Sequence, residues 1–196
     1  MVGTNRTIAI ATCAVITLAG TLGVRAQGPT RGHADLNGYE EAPLTISSPA
    51  SGTLDVQITG NGTSLDYTLT YSGLASNVRF AHIHIGRTAI AGGIMAFLCT
   101  NETPPTGVPG PPACPQGSGT VRGTLTEANI LAVTAQGVAA GDFAAFIAAL
   151  RSEAAYGNVH TATFGTGEIR GQITFPGNST TNNGSSNGNN GNNNNQ

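Results

Sequence analysis

Residues 52–71 read GTLDVQITGNGTSLDYTLTY, and this stretch decides the fold. Apolar and polar side chains alternate through residues 52–58 and again through residues 65–71, which is the repeat of a β-strand with one buried face. Between them, Gly60-Asn61-Gly62 is typical of a tight turn. The stretch therefore predicts an antiparallel hairpin. The apolar side chains that share its predicted buried face are Leu54, Val56, Ile58, Leu65, Tyr67, Leu69 and Tyr71.

Further short segments on both sides of this hairpin have strand character and are separated by turn residues. They cover residues 33–37, 78–85, 94–99, 119–125, 156–163 and 168–175. Eight short strands in one chain predict an all-β fold, an antiparallel β-sandwich or barrel.

One segment departs from the strand pattern. Residues 141–151 place Phe143, Phe146, Ile147 and Leu150 at helical spacing, and Asp142 precedes them as an N-cap. This predicts one short amphipathic helix that covers an end of the sandwich.

The composition is that of a globular chain. Of 196 residues, 9% are charged and 39% are hydrophobic, which excludes a highly charged disordered chain and a multi-span membrane protein. The net charge is −2 and every basic residue is Arg, without a basic cluster. A nucleic-acid partner is not expected, because binding to nucleic acid depends on neutralising phosphates.

Both ends of the chain differ from its centre. Residues 1–26 resemble a secretory signal peptide, with Arg6 before an apolar run and small residues at 24 and 26, so cleavage is predicted after Ala26. The alternative is a retained membrane anchor, although the run is short for one. Residues 177–196 are only Asn, Ser, Thr, Gly and Gln, and this composition predicts a disordered tail. One domain, residues 27–176, remains, with no membrane span after cleavage and a secreted or cell-envelope location.

Export determines how the cysteines are interpreted. Removal of Cys13 with the signal peptide leaves Cys99 and Cys114, an even pair in an oxidising compartment, separated by a Pro-rich loop. A structural disulfide is therefore predicted, the alternative being a thiolate metal or redox site.

The histidines are the main candidates for chemistry. Alternation along residues 81–86 places His82 and His84 on one strand face, and His160 lies in another predicted strand. If residues 156–163 and 168–175 form a hairpin with a three-residue loop, His160 lies opposite Gln172. The even-numbered residues Glu168, Arg170 and Gln172 would then form a polar cluster on the same side, with Ile169 and Ile173 facing inward. His33 is interpreted as a surface residue.

Two interpretations of the three histidines stay open. Three neutral imidazoles plus a water would form a zinc or copper site, favoured if ring nitrogens converge within about 4 Å. Alternatively, His82, His84 and His160 donate structural hydrogen bonds, and Glu168 and Arg170 form an ordinary ion pair. No catalytic residue is assigned, because the sequence lacks the zinc-protease, phosphate-loop and nucleophile-elbow motifs. Whether the protein is an enzyme stays open, with a non-enzyme favoured.

Several segments together resemble the CHRD (chordin-type) domain family. They are LNGYEEAP at 36–43, ASGT at 50–53, AHIHIG at 81–86, FLCTN at 97–101, YGNVHT at 156–161 and GEIRGQI at 167–173. The resemblance implies an immunoglobulin-like extracellular module, and therefore a binding or structural role with an extracellular or envelope protein or matrix partner. A weaker resemblance to copper–zinc superoxide dismutase, which also uses a strand His-x-His for copper, supports the alternative of a copper- or zinc-binding protein with redox activity.

Overall fold

A computed structural model describes residues 28–176. The predicted signal peptide, residues 1–26, and the predicted tail, residues 177–196, lie outside the described residues. The helix and strands, in chain order, are β1 (Arg31–Asn37), β2 (Ser51–Thr59), β3 (Ser64–Ser72), β4 (Val78–Ile85), β5 (Ile94–Thr100), β6 (Gly119–Leu125), α1 (Phe143–Arg151), β7 (Ala155–Thr161) and β8 (Ile169–Gln172).

The eight strands form one antiparallel sheet in the order β5-β4-β7-β8-β1-β2-β3-β6. The sheet curls until its edge strands β5 and β6 approach each other, so it is nearly a closed barrel. The Tyr67 hydroxyl of β3 reaches across and donates a hydrogen bond to the Leu98 carbonyl of β5 at 2.6 Å. The predicted all-β fold with one helix is confirmed.

The hairpin predicted from residues 52–71 is β2 and β3. Leu54 pairs with Leu69 and Val56 with Tyr67, and these side chains are buried. In the turn, Asn61 has φ 57° and Gly62 has φ 95°, which is the left-handed conformation that these two residue types tolerate best. Local sequence thus determines both the faces and the register of this pair.

Helix α1 also follows the prediction. The Asp142 side chain accepts a hydrogen bond from the Ala145 backbone N–H at 2.9 Å, which caps the first turn. Phe143, Phe146 and Leu150 are buried in the core. Within residues 28–176, no helix has the length and hydropathy that crossing a bilayer requires.

The pairing of β7 with β8 corrects one prediction. Val159 pairs with Ile169, so the connection is longer than three residues and His160 does not lie opposite Gln172. The reason is that β7 continues along β4 as far as Thr161, whereas the chain turns at Phe164, whose carbonyl accepts from the backbone N–H groups of Thr161 and Gly167. The observed register differs from the predicted one by an even number of residues, so each side chain of β8 still points to the predicted face of the sheet. Ile169 is accordingly fully buried in the core, as predicted.

The predicted disulfide joins Cys99 and Cys114, both buried. The loop that it closes is held by further bonds. The Asn101 amide nitrogen donates to the Val78 carbonyl at 2.8 Å and to the Cys114 carbonyl at 3.0 Å, and the Thr100 N–H donates to the Pro112 carbonyl at 2.9 Å.

We expect reduction of this disulfide to lower the free energy of unfolding by about 3 kcal/mol at most, because the bridge mainly restricts the unfolded chain. The fold should persist, since the bonds of Asn101 and Thr100 still hold the loop. Thermal unfolding with and without reductant measures this loss. The Cys99→Ala/Cys114→Ala variant is the control and should be insensitive to reductant. Loss of the β-sheet circular dichroism on reduction at 25 °C would contradict the prediction.

Candidate metal centre

The three predicted histidines lie on the outer face of the sheet, where β4 and β7 are neighbours. Alternation sends Ala81, Ile83 and Val159 into the core and turns His82, His84 and His160 to the other side. That side is covered as well, because His82, His84 and His160 are 1%, 7% and 6% exposed.

The structure brings the three imidazoles together. The ring centroids of His82 and His84 are 5.4 Å apart, those of His82 and His160 are 5.1 Å apart, and those of His84 and His160 are 6.0 Å apart. One nitrogen from each ring lies within 4.8 Å of the others. The pairing of β4 with β7 produces this cluster, because it places His160 beside Phe80, the neighbour of His82 on the same face.

Backbone carbonyls orient two of the rings. Nδ1 of His84 lies 3.0 Å from the Gly92 carbonyl oxygen and Nδ1 of His160 lies 3.1 Å from that of Gly165. A carbonyl only accepts, so each Nδ1 carries the proton and each Nε2 keeps its lone pair. Among residues 28–176, Nε2 of all three rings and also Nδ1 of His82 have no hydrogen-bond partner, although they are buried.

Aromatic side chains surround the cluster. Phe80 lies 4.7 Å from the rings of both His82 and His160, and Phe97 meets His82 edge-on at 4.2 Å between centroids. Tyr156 stacks on His84 at 4.8 Å. These three residues were not among the predicted site residues. Alternation from His82 and His160 would have found Phe80 and Tyr156, whereas Phe97 is placed by the irregular pairing of β4 with β5.

Burial keeps the imidazoles neutral. It lowers the pKa of His82 to about 2, with smaller contributions from His160 and His84. Burial also lowers the pKa of His84 and of His160 to about 4, opposed by their bonds to the Gly92 and Gly165 carbonyls. Three neutral imidazoles with free Nε2 atoms are the form in which histidine binds a transition metal.

A model of the CHRD domain family matches residues 33–173, which is most of the chain. The chain belongs to the CHRD family. The matched segment includes all three histidines and both disulfide cysteines. Membership suggests a small binding or structural module, and the comparisons show no catalytic activity. Comparison with curated proteins and with solved structures gives no match.

Arg170 and Gln172 bind the loop of the CHRD domain that connects β4 to β5, residues 86–93, beside the histidines. A terminal nitrogen of the buried Arg170 donates to the carbonyls of Arg87 and Ile90 at 3.0 and 2.9 Å, and its guanidinium carbon lies 3.5 Å from the Tyr156 ring centroid. Gln172 Nε2 donates to the Gly86 carbonyl at 3.0 Å and to two further carbonyls, those of Glu153 and Ala155. This loop continues to Gly92, whose carbonyl orients His84.

Glu168, the third member of the predicted polar cluster, has different partners. It is fully buried, and its carboxyl group accepts bonds from the Ser48 hydroxyl at 2.7 Å, the Ala75 N–H at 2.9 Å and the Thr161 hydroxyl at 2.8 Å. Glu168 therefore joins three segments of the chain instead of pairing with Arg170.

Glu41 and Asn158 form a buried pair next to Arg170 that sequence reasoning missed. The Asn158 amide donates to a carboxyl oxygen of Glu41 at 2.5 Å. Burial raises the pKa of Glu41 to about 7, opposed by the Asn158 bond and the positive charge of Arg170. A Cβ on Gly167 would lie 2.6 Å from this carboxyl group, so only glycine fits there. Both residues fall within segments that carry the family resemblance, which was the available signal.

Proposed function

We propose that this CHRD domain is a metal-binding module, in which His82, His84 and His160 bind one copper or zinc ion. The observation that supports the proposal most directly is the convergence of three buried imidazoles, with one nitrogen of each within 4.8 Å of the others. The Nε2 atoms of these rings have no hydrogen-bond partner among residues 28–176. Zinc and copper sites use neutral imidazole, and ligating histidines commonly donate the other ring N–H to a carbonyl. His84 and His160 have this arrangement.

Binding requires a small closure of the cluster. Metal–nitrogen bonds of about 2.0–2.1 Å place nitrogens that share one ion about 3.5 Å apart. The nitrogens here lie within 4.8 Å of one another, so the structure does not meet the expected convergence within about 4 Å, the distance that two such bonds span. The rings therefore close by about 1 Å when an ion binds, a movement that small side-chain rotations supply.

The structural interpretation accounts for less of the geometry. Structural histidines are expected to have their nitrogens paired, because leaving a buried polar group unpaired costs about 1–3 kcal/mol. His82 pairs neither nitrogen, and Phe80 and Phe97, whose rings pack against it, are apolar. A bound ion gives the unpaired nitrogens a partner.

The module acts outside the cytoplasm. CHRD domains are typically extracellular, and a disulfide such as Cys99–Cys114 is typical of an oxidising compartment. The predicted signal peptide supports the same location. The proposal includes a partner for the module, namely a protein or matrix component that is extracellular or part of the cell envelope.

Metal content tests the proposal. Protein without an affinity tag is loaded with zinc or with copper, passed through a desalting column and analysed by mass spectrometry for bound metal. We expect about one ion per chain with at least one of the two metals. We expect His82→Phe, which keeps the ring volume, to lower the content to below about a tenth.

His33→Ala is the matched control. His33 is partly exposed and is paired with Asp55 at 2.7 Å, away from the cluster, so its loss should leave the metal content unchanged. Thermal unfolding shows whether each variant is folded. A folded wild-type protein that retains no copper or zinc would overturn the proposal, as would retention that is equal in wild type and His82→Phe.

A further inference from the structure

We propose that the cluster is a site for monovalent copper, and that it discriminates against zinc and other divalent ions. This rests on the proposed function and names which ion the site selects. Two features of the structure support it. The cluster offers three neutral nitrogens and no fourth ligand, and two guanidinium groups stand beside it.

The number and type of ligands favour a three-coordinate ion. The group of potential ligands among residues 28–176 contains His82, His84 and His160, without a carboxylate or cysteine. Zinc in proteins takes four ligands, and with three histidines it needs a water or anion in addition. Phe80 and Phe97, which pack against the rings, offer no such ligand. Copper(I), with a filled d shell and a single charge, is stable with three nitrogen ligands.

Charge favours a monovalent ion in the same site. The Arg170 guanidinium lies 3.5 Å from the ring centroid of Tyr156, which stacks on His84. On the other side, the Arg79 guanidinium lies 5.1 Å from the ring centroid of Phe80, which packs against His160.

Each of these guanidinium groups thus packs on an aromatic ring that itself contacts an imidazole of the cluster. A positive potential repels a divalent ion twice as strongly as a monovalent one. Burial adds to this difference, because the cost of desolvation rises with the charge.

Competition titrations test the selectivity. Tag-free protein at pH 7.4 is titrated with copper(I), kept reduced with ascorbate, against bicinchoninate, and in parallel with zinc against a chromophoric chelator. We expect one copper(I) per chain and zinc binding at least about 1,000-fold weaker. Zinc binding as tight as copper(I) would overturn this inference and leave the proposed function standing. Binding of neither ion would overturn both.

Variants at Arg170 test the contribution of charge. Arg170→Gln removes the charge, and we expect it to reduce the ratio of copper(I) to zinc affinity about tenfold. Arg170→Lys keeps the charge and should leave the ratio within about threefold. If Arg170→Gln fails to fold, Arg79→Gln makes the comparison with a smaller expected change, because Arg79 lies near the surface and is already paired with the Glu102 carboxylate. An unchanged ratio in the folded charge-removing variant would contradict the inference.

Discussion

Lowering the pH from 7 to 5 is expected to reduce the free energy of unfolding of the metal-free protein by several kcal/mol. The pKa of His82 is about 2 and those of His84 and His160 are about 4 in the folded protein, against 6.5 as the ordinary value. Between pH 6.5 and pH 4, the unfolded chain therefore binds protons that the folded chain does not. The free energy of unfolding consequently decreases as the pH is lowered through this range. At pH 5 each imidazole contributes about 2 kcal/mol to this loss.

Glu41 has the opposite effect. Its pKa is raised from 4.5 to about 7, so the folded protein binds a proton that the unfolded chain lacks between those values. Its contribution is present below pH 4.5 and is lost as the pH rises through 7. One carboxyl group offsets about one imidazole, so a net loss on acidification remains.

Urea unfolding at pH 7, 6 and 5 measures this effect. His82→Phe should reduce the net loss by about half, because one of the three imidazole contributions disappears while the offset from Glu41 remains. His33→Ala is a control for the general effect of a lost histidine. The pKa of His33 is raised, chiefly by its bond to Asp55, so its removal should not reduce the loss. Equal stability of the wild type at pH 7 and pH 5 would show that the cluster is not buried as described.

Glu168→Ala is expected to lower the free energy of unfolding by about 3–5 kcal/mol. The fully buried Glu168 carboxyl group accepts bonds from Ser48, Ala75 and Thr161, and an alanine leaves these donors without their acceptor. Ser48 and Ala75 are distant from Glu168 in sequence, so the substitution also removes bonds that hold distant segments of the chain together.

Glu168→Gln is the matched control. One oxygen of Glu168 accepts from both Ser48 and Ala75, and the glutamine carbonyl can take its place. The glutamine amide can donate to the Thr161 hydroxyl, which has a lone pair for it. We expect Glu168→Gln to cost less than half as much as Glu168→Ala in urea unfolding. A cost for Glu168→Ala below about 1 kcal/mol would mean that water replaces these bonds.

Much of the fold was predictable because its signals are local. Strands β4 and β6 have the predicted bounds, and α1 begins directly after its predicted N-cap, Asp142. The β7–β8 register was not predictable. It depends on how far β7 continues along β4 and on the turn at Phe164. Neither can be read from the alternation of apolar and polar residues in β8.

The candidate site divides in the same way. Alternation predicted that His82 and His84 share a face, because successive residues of a strand point to opposite sides. The carbonyls of Gly92 and Gly165, which orient two rings, belong to loops whose paths follow no short repeat. Glu41 reaches Asn158 only because the chain after β1 returns to β7.

The amino-acid sequence by itself determined which side chains face the core, where the helix begins and which two cysteines pair. These properties depend on the backbone repeat and on a count of cysteines. Only the tertiary structure decided that β7 lies beside β4, that three imidazoles therefore meet with their Nε2 atoms unpaired, and that Arg170 and Arg79 stand near them. The physical reason is that strand order is chosen by the packing of the whole sheet, in which residues far apart along the chain contribute together.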